Sequence, residues 1–160
     1  MQPMAIFHLI PFIMESLASR AHVAYVQAHY PEGKFPVPYE KLCSSSPGTD
    51  FFLIGVFNCG NIGVFEKSEQ DPFANPAVRE YIEKNRIKNL IVAGVTVTTC
   101  IGFSVQSGLS IPNLRVIVPQ NCVSYRKTKE EEALKILAGY SLPEIKRVVV
   151  TDSRNIRYVS

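Results

Sequence analysis

Hydrophobic positions in the second half of the chain switch repeatedly between a period of two and a period near 3.6, predicting alternating strands and helices. Residues 62–66 predict a strand. Downstream, Asn75-Pro76 pairs an N-cap residue with proline at the first helical position. The helix that follows extends to about Asn85, with Ala77, Val78, Tyr81 and Ile82 forming one apolar stripe. Residues 90–95 are apolar on both sides, as a central strand of a parallel sheet requires. A helix beginning near Cys100 comes next, then a turn at 110–113 and a strand over 114–118. Thr128-Lys129-Glu130-Glu131 matches a capping box. It opens a helix carrying Ala133, Leu134, Ile136 and Leu137, with Gly139 as its expected stop. Residues 147–151 predict the last strand, and 155–160 carry no assignment.

The first sixty residues are less regular. A strand over 22–26 is preceded by a helix over 11–20 that buries Met14, Leu17 and Ala18. Pro11 suits the first turn of that helix and biases Ile10 towards extended backbone, so 4–9 is a candidate short strand. Residues 30–50 are rich in Pro, Gly and Ser and predict a long loop, of the kind that is usually functional or mobile. Strands separated by helices of about ten residues imply βαβ units, right-handed crossovers and a parallel sheet.

Composition narrows the function more than the fold. A chain of 160 residues is expected to form one domain over 1–160, burying roughly 70% of its unfolded surface. The net charge of +3 is small and evenly spread, and no run of Lys or Arg exceeds two. Aromatic residues do not alternate with basic ones, so no nucleic-acid partner is expected. The longest apolar stretch, 4–14, is too short for a transmembrane span and is interrupted by His8 and Pro11. It also lacks the features of a secretory signal, which makes a cytoplasmic location with no membrane partner the expectation. Cys43, Cys59, Cys100 and Cys122 form no C-x-x-C pair and have no histidines at ligand spacing, so reduced thiols are expected.

Cys100 is the most informative of the four. It follows the apolar run that starts at Leu90, after a turn containing Thr96, Thr98 and Thr99, and it opens an apolar-periodic segment. A thiol there lies at a helix start, just past the carboxyl end of a strand. Backbone N–H groups at a helix start favour a thiolate over the thiol, whose free pKa is about 8.5. Open α/β sheets also bind their ligands outside the carboxyl ends of strands. The competing reading is a buried structural cysteine, the commonest fate of a lone thiol. Cys59 reads as an ordinary loop thiol and Cys122 as packing. Residues 51–57, Phe73 and Phe103 suit either a pocket wall or the core.

Three segments resemble the isochorismatase-like cysteine hydrolases, the superfamily that includes nicotinamidases and N-carbamoyl amidohydrolases. The nucleophile motif Gly-(Val/Ile)-x-Thr-x-x-Cys-(Val/Ile) corresponds to Gly94-Val95-Thr96-Val97-Thr98-Thr99-Cys100-Ile101. The valine–lysine–aromatic pattern corresponds to Val64, Lys67 and Phe73, and Ser46-Pro47-Gly48-Thr49-Asp50 is similar to the family's glycine loop. Similarity covers most of residues 11–155. The resemblance implies an α/β, Rossmann-like, three-layer α/β/α fold with a mostly parallel sheet. It also implies a small-molecule substrate, an amide or related carbonyl compound, and a homo-oligomer. Cys100 would be the nucleophile and Lys67 the cation that supports its thiolate. The backbone N–H groups of Thr96 and Cys100 would form the oxyanion hole, with a cis peptide at Val95–Thr96. Phe73, Val95 and His29 are the candidate substrate-binding residues.

The chain departs from the family pattern at three places. The family's third catalytic residue is an aspartate on its first strand, and this sequence has no Asp before Asp50. That strand is expected to be missing or replaced by residues 4–9, and a truncated reading frame would give the same pattern. His8 is then either a neighbour of Cys100 or an ordinary core or surface residue. Nicotinamidases hold a metal through an aspartate-x-histidine motif; Gln27-Ala28-His29 stands there, so no metal and no cofactor are expected. Val97 replaces the motif threonine and Thr98 a frequent aspartate. The leading expectation is a cysteine hydrolase of C–N bonds other than peptide bonds. The alternative is a catalytically impaired member that serves as a binding or assembly module. A Rossmann-type nucleotide binder is disfavoured because no G-x-G-x-x-G is present.

Overall fold

The computed structural model describes residues 12–16, 18–19, 21–31, 62–125, 129–140, 142 and 145–158. Its elements in chain order are a helical turn at 12–16 (α1), β1 (Val23–Ala28), β2 (Ile62–Lys67), α2 (Pro76–Lys84), β3 (Asn89–Ile91) and β4 (Gly94–Val95). Then come α3 (Gly102–Ser110), β5 (Arg115–Pro119), β6 (Val123–Ser124), α4 (Glu130–Tyr140) and β7 (Val148–Thr151). The candidate strand at 4–9 with His8, residues 32–50 of the long loop, the 51–57 run, Cys43, Cys59 and Thr128 lie outside the described residues.

Every described strand pairing is parallel, as the sequence pattern implies. β1 pairs with β2 from Val23↔Ile62 to Ala28↔Lys67. β3, β5 and β7 form a second sheet in that order, with Leu90↔Val116 and Val116↔Val148 in register. β4 and β6 make a third, short ladder through Gly94↔Val123 and Val95↔Ser124. The strand expected over 90–95 is therefore two pieces, divided at Val92 and Ala93. The cause lies in its partner: β5 ends at Pro119, which has no N–H for a ladder, and a 3-10 turn at Gln120–Cys122 follows before β6 resumes pairing.

Alternation along these strands builds two cores. Val116 and Val118 of β5 face one cluster with Val92, Val97, Ile101, Val105, Ala133 and Leu137, under α3 and α4. Ile117, Ile91 and Ala93 face the other side, where Phe12 of α1, Cys122 and Ile156 are buried. Helices thus cover both faces of the sheet. Each fully buried Val or Leu removed from water contributes about 1.5–3 kcal/mol. Gly108 lets α3 lie against β5, since a Cβ there would sit 2.9 Å from Val116 Cγ2.

A local signal accounts for the start of α2 but not for the end of α4. Asn75 Oδ1 accepts from Ala77 N at 3.0 Å and Pro76 opens α2, as its sequence predicts. Gly139 does not stop α4, which continues through Tyr140. A glycine inside a helix costs about 1 kcal/mol, and packing of the Tyr140 ring against the core offsets it. Among the described residues no helix is long and apolar enough to cross a membrane.

Candidate active site

β4 delivers the chain to the nucleophile turn through two unusual backbone units. Gly94 has φ +123°, a conformation open to glycine, and the Val95–Thr96 peptide is cis, as the family resemblance implies. The helix then begins with a wide turn at Val97–Ile101. Thr96 O accepts from Thr99 N at 3.2 Å and from Ile101 N at 3.0 Å, the second closing an i→i+5 ring. Cys100 therefore lies in the opening turn, two residues before the regular α3 begins. Val97 is 0% exposed and Ile101 is also buried, so these two side chains anchor the turn to the core. Burial at position 97 explains how a valine occupies the place of the motif threonine.

The turn is lined with hydroxyls. Thr96 Oγ1 and Thr99 Oγ1 are 2.6 Å apart, and Thr99 Oγ1 donates to Cys100 Sγ at 3.9 Å. Ser104 Oγ donates to Cys100 O at 2.7 Å. Cys100 itself is half-buried, whereas Cys122 is fully buried and its thiol is pushed up by that burial. Val95, beside the turn, is 46% exposed.

The carboxyl ends of β1 and β2 supply the other candidates. His29 N donates to Lys67 O at 2.7 Å, extending the parallel ladder by one bond. Lys67 is 7% exposed, and its Nζ donates to Gln70 O at 2.6 Å. His29 Nδ1 lies 3.2 Å from Glu66 Oε2, with both side chains about half exposed. A cavity of about 560 Å³ opens here, and His29, Glu66, Lys67 and Glu69 belong to its lining; Cys100 does not. Phe73 packs against Ile82, Ile111 and Leu114. The candidates thus fall in two groups: Cys100, Thr96 and Val95 at the nucleophile turn, Lys67 and His29 at the paired strand ends. Among the described residues no carboxylate forms an ion pair with Lys67 or hydrogen-bonds Cys100.

Two residues that the sequence reading did not single out belong to the surroundings of these groups. Tyr30 is buried just past β1, and its phenol is pushed above the usual range by burial first, then by the charges of Cys100 and Glu69. Its signal was positional, an aromatic residue immediately beyond a strand's carboxyl end. Asp71 caps the 3-10 turn Pro72–Ala74 through Phe73 N at 2.9 Å and also accepts from Ser107 Oγ of α3 at 2.5 Å. An Asp-Pro pair is a turn-start signal that was available in the sequence.

Helices on both faces of a parallel sheet, with a half-exposed thiol where its strands end, define an α/β protein of the doubly wound type. The chain belongs to the isochorismatase family: the family model described as Isochorismatase domain matches residues 59–142. Solved structures agree on the fold. A Burkholderia xenovorans protein classed as an isochorismatase superposes with a TM-score of 0.77 at 15% identity, over 96% of this chain and 74% of its own. N-carbamoylsarcosine amidase from Thermoplasma acidophilum gives 0.71 at 17% identity, over 98% and 88% respectively. Nicotinamidase from Bacillus subtilis gives 0.72 at 15% identity, over 93% and 84%. No curated protein matches the sequence.

Proposed function

We propose that this chain hydrolyses a small amide or related carbonyl compound, with Cys100 as the nucleophile. The supporting observation is the half-buried thiol in the opening turn of a helix, just past the carboxyl end of the parallel strand β4. In this reading the Cys100 thiolate attacks the carbonyl carbon and forms a C–S bond. The Thr96 and Cys100 N–H groups stabilise the oxyanion of the tetrahedral intermediate. Collapse breaks the C–N bond, and the amine leaves with a proton. Water then cleaves the thioester, releasing the acid and restoring the thiol. Lys67 supports the thiolate by its charge, and Val95, Phe73 and His29 contact the substrate. Removal of general acid–base assistance typically costs 10² to 10⁴ in rate, so the proton must find another carrier if the family's aspartate is absent.

The neighbouring amidases make nicotinamide and N-carbamoylsarcosine the natural first probes. Incubation of the full chain with each, followed by intact-protein mass spectrometry and an ammonia assay, tests the reading. The expected result is an acyl adduct on Cys100 and turnover with at least one member of an amide panel, both lost in Cys100→Ser. Absence of adduct and turnover across the panel would overturn it. That outcome would support the second reading, a family member serving as a binding module. It is favoured by one observation, the lack of any described carboxylate bonded to Cys100 or Lys67. Assembly as a homo-oligomer in the cytoplasm, without a cofactor, belongs to the same proposal and is tested by sedimentation and cell fractionation.

A further inference from the structure

We propose that Asp71 is a positioning residue, holding the loop that follows Lys67 against the helix that carries Cys100. The inference rests on the hydrolase reading and adds a residue to it. The Asp71 carboxylate uses both oxygens: Oδ1 accepts from Phe73 N at 2.9 Å, and Oδ2 accepts from Ser107 Oγ at 2.5 Å. The second distance lies in the range of charge-assisted O–H···O⁻ bonds, roughly twice as strong as neutral ones. A plain cap needs one oxygen; here the other reaches a residue 36 positions along the chain.

The two ends of this latch lead directly to the two candidate catalytic side chains. The peptide joining Gln70 to Asp71 carries the Gln70 carbonyl, and that carbonyl accepts from Lys67 Nζ at 2.6 Å. Fixing Asp71 therefore fixes the acceptor that sets the ammonium position. Ser107 follows Cys100 by two helical turns on the same face, about 10 Å along the axis. Between them, Ser104 Oγ is bonded to Cys100 O at 2.7 Å. A third anchor keeps the loop from pivoting: Phe73 packs with Ile111 and Leu114, at the end of α3 and just beyond it. The loop is thus tied to the thiol-bearing helix at Ser107 and, through Phe73, just beyond the helix end.

The test is the second-order rate of Cys100 alkylation by iodoacetamide in the full chain, read at the Cys100 peptide by mass spectrometry. On the hydrolase reading, displacing the Lys67 ammonium lowers the thiolate fraction and raises the nucleophilicity of what remains, so a moderate fall of about fivefold is expected in Ser107→Ala and Asp71→Ala. The double variant falls no further, because both remove one latch. Ser107→Thr, which keeps a hydroxyl, returns the rate to near wild type. In a Lys67→Ala background, Asp71→Ala changes nothing more, an outcome that a merely structural cap does not produce. Arg147→Ala, which removes contacts elsewhere on α3, leaves the rate unchanged. Wild-type rates in both latch variants would overturn the positioning role and leave the hydrolase reading standing. If wild-type Cys100 reacts no faster than N-acetylcysteine, the activated thiol itself is refuted, and the latch with it.

Discussion

Thr96 and Thr99 hydrogen-bond hydroxyl to hydroxyl at 2.6 Å, and Thr99 continues the chain to Cys100 Sγ at 3.9 Å. The pair sits one turn apart, so both hydroxyls fall on the same side of the wide opening turn. Val97, at the place of the motif threonine, is wholly buried and has no hydroxyl to offer. The hydroxyl contact to the sulfur comes instead from Thr99, two residues further on. Hydrogen bonding to a charged form favours that form.

The first prediction follows from that contact. Thr99→Val keeps the β-branched shape and removes the donor to Cys100. Cys100 alkylation is expected to slow about two- to fivefold, a modest effect because the sulfur contact is long and sulfur a weak acceptor. The melting curve should change little. A rate equal to wild type would show that the hydroxyl chain does not act on the thiol.

Gly94 gives a prediction of a different kind. A Cβ at this position meets nothing within 4 Å, so side-chain clash is excluded as a cost. Its φ of +123° remains closed to other residues. Gly94→Ala should therefore lose about 1–3 kcal/mol from backbone conformation alone, read as a lower urea midpoint. If the midpoint holds, the backbone before the nucleophile turn has another low-energy conformation available.

How much of this was legible in the sequence differs from residue to residue. The α2 start was readable because Asn75 and Pro76 act through their own neighbours. The cis peptide at Val95–Thr96 was readable through a family motif, not through local propensity. The division of the 90–95 strand was not, because its cause is Pro119 on a partner strand. Gly139 misled for a related reason: Tyr140 packs on the core, and tertiary contact outweighed propensity. Tyr30 and Asp71 escaped notice because their significance is a long-range neighbour, Cys100 for one and Ser107 for the other.

Alkaline pH should destabilise the fold, and the sign follows from burial. Cys122, Tyr25, Tyr30, Tyr81, Tyr140 and Tyr158 are all raised above their ordinary values, with desolvation the largest cause in each case. Below these ordinary values each of these six groups is protonated in the native and the unfolded chain alike. As pH rises through about 9 to 10 and beyond, the unfolded chain releases protons that the native one keeps, so the slope of stability with pH is negative. Urea midpoints measured on either side of that window should fall as pH increases. A flat or rising profile would contradict the burial of these groups.

Arg147 provides the control that separates fold stability from site chemistry. Its guanidinium donates from Nη1 to Ile111 O at 2.8 Å and Leu114 O at 3.4 Å, and from Nη2 to Leu109 O. Carbonyls at a helix C-terminus have no intrahelical partner, and a cation there also meets the negative end of the helix dipole. Arg147→Ala removes these charged donors, leaving Ile111 O only its longer bond from Leu114 N at 3.4 Å, and is expected to cost about 1–2 kcal/mol, since bonds to charged groups exceed neutral ones. For a chain of this size that corresponds to a melting-temperature drop of roughly 3–6 °C. Arg147→Lys should recover less than half of it, because an ammonium cannot reproduce a planar fork with several donors. The side chain acts at the far end of α3 from Cys100, so alkylation of the thiol in the folded protein should be unaffected. A variant that melts normally would show the cap to be dispensable; one that slows Cys100 would show that the two ends of α3 are coupled.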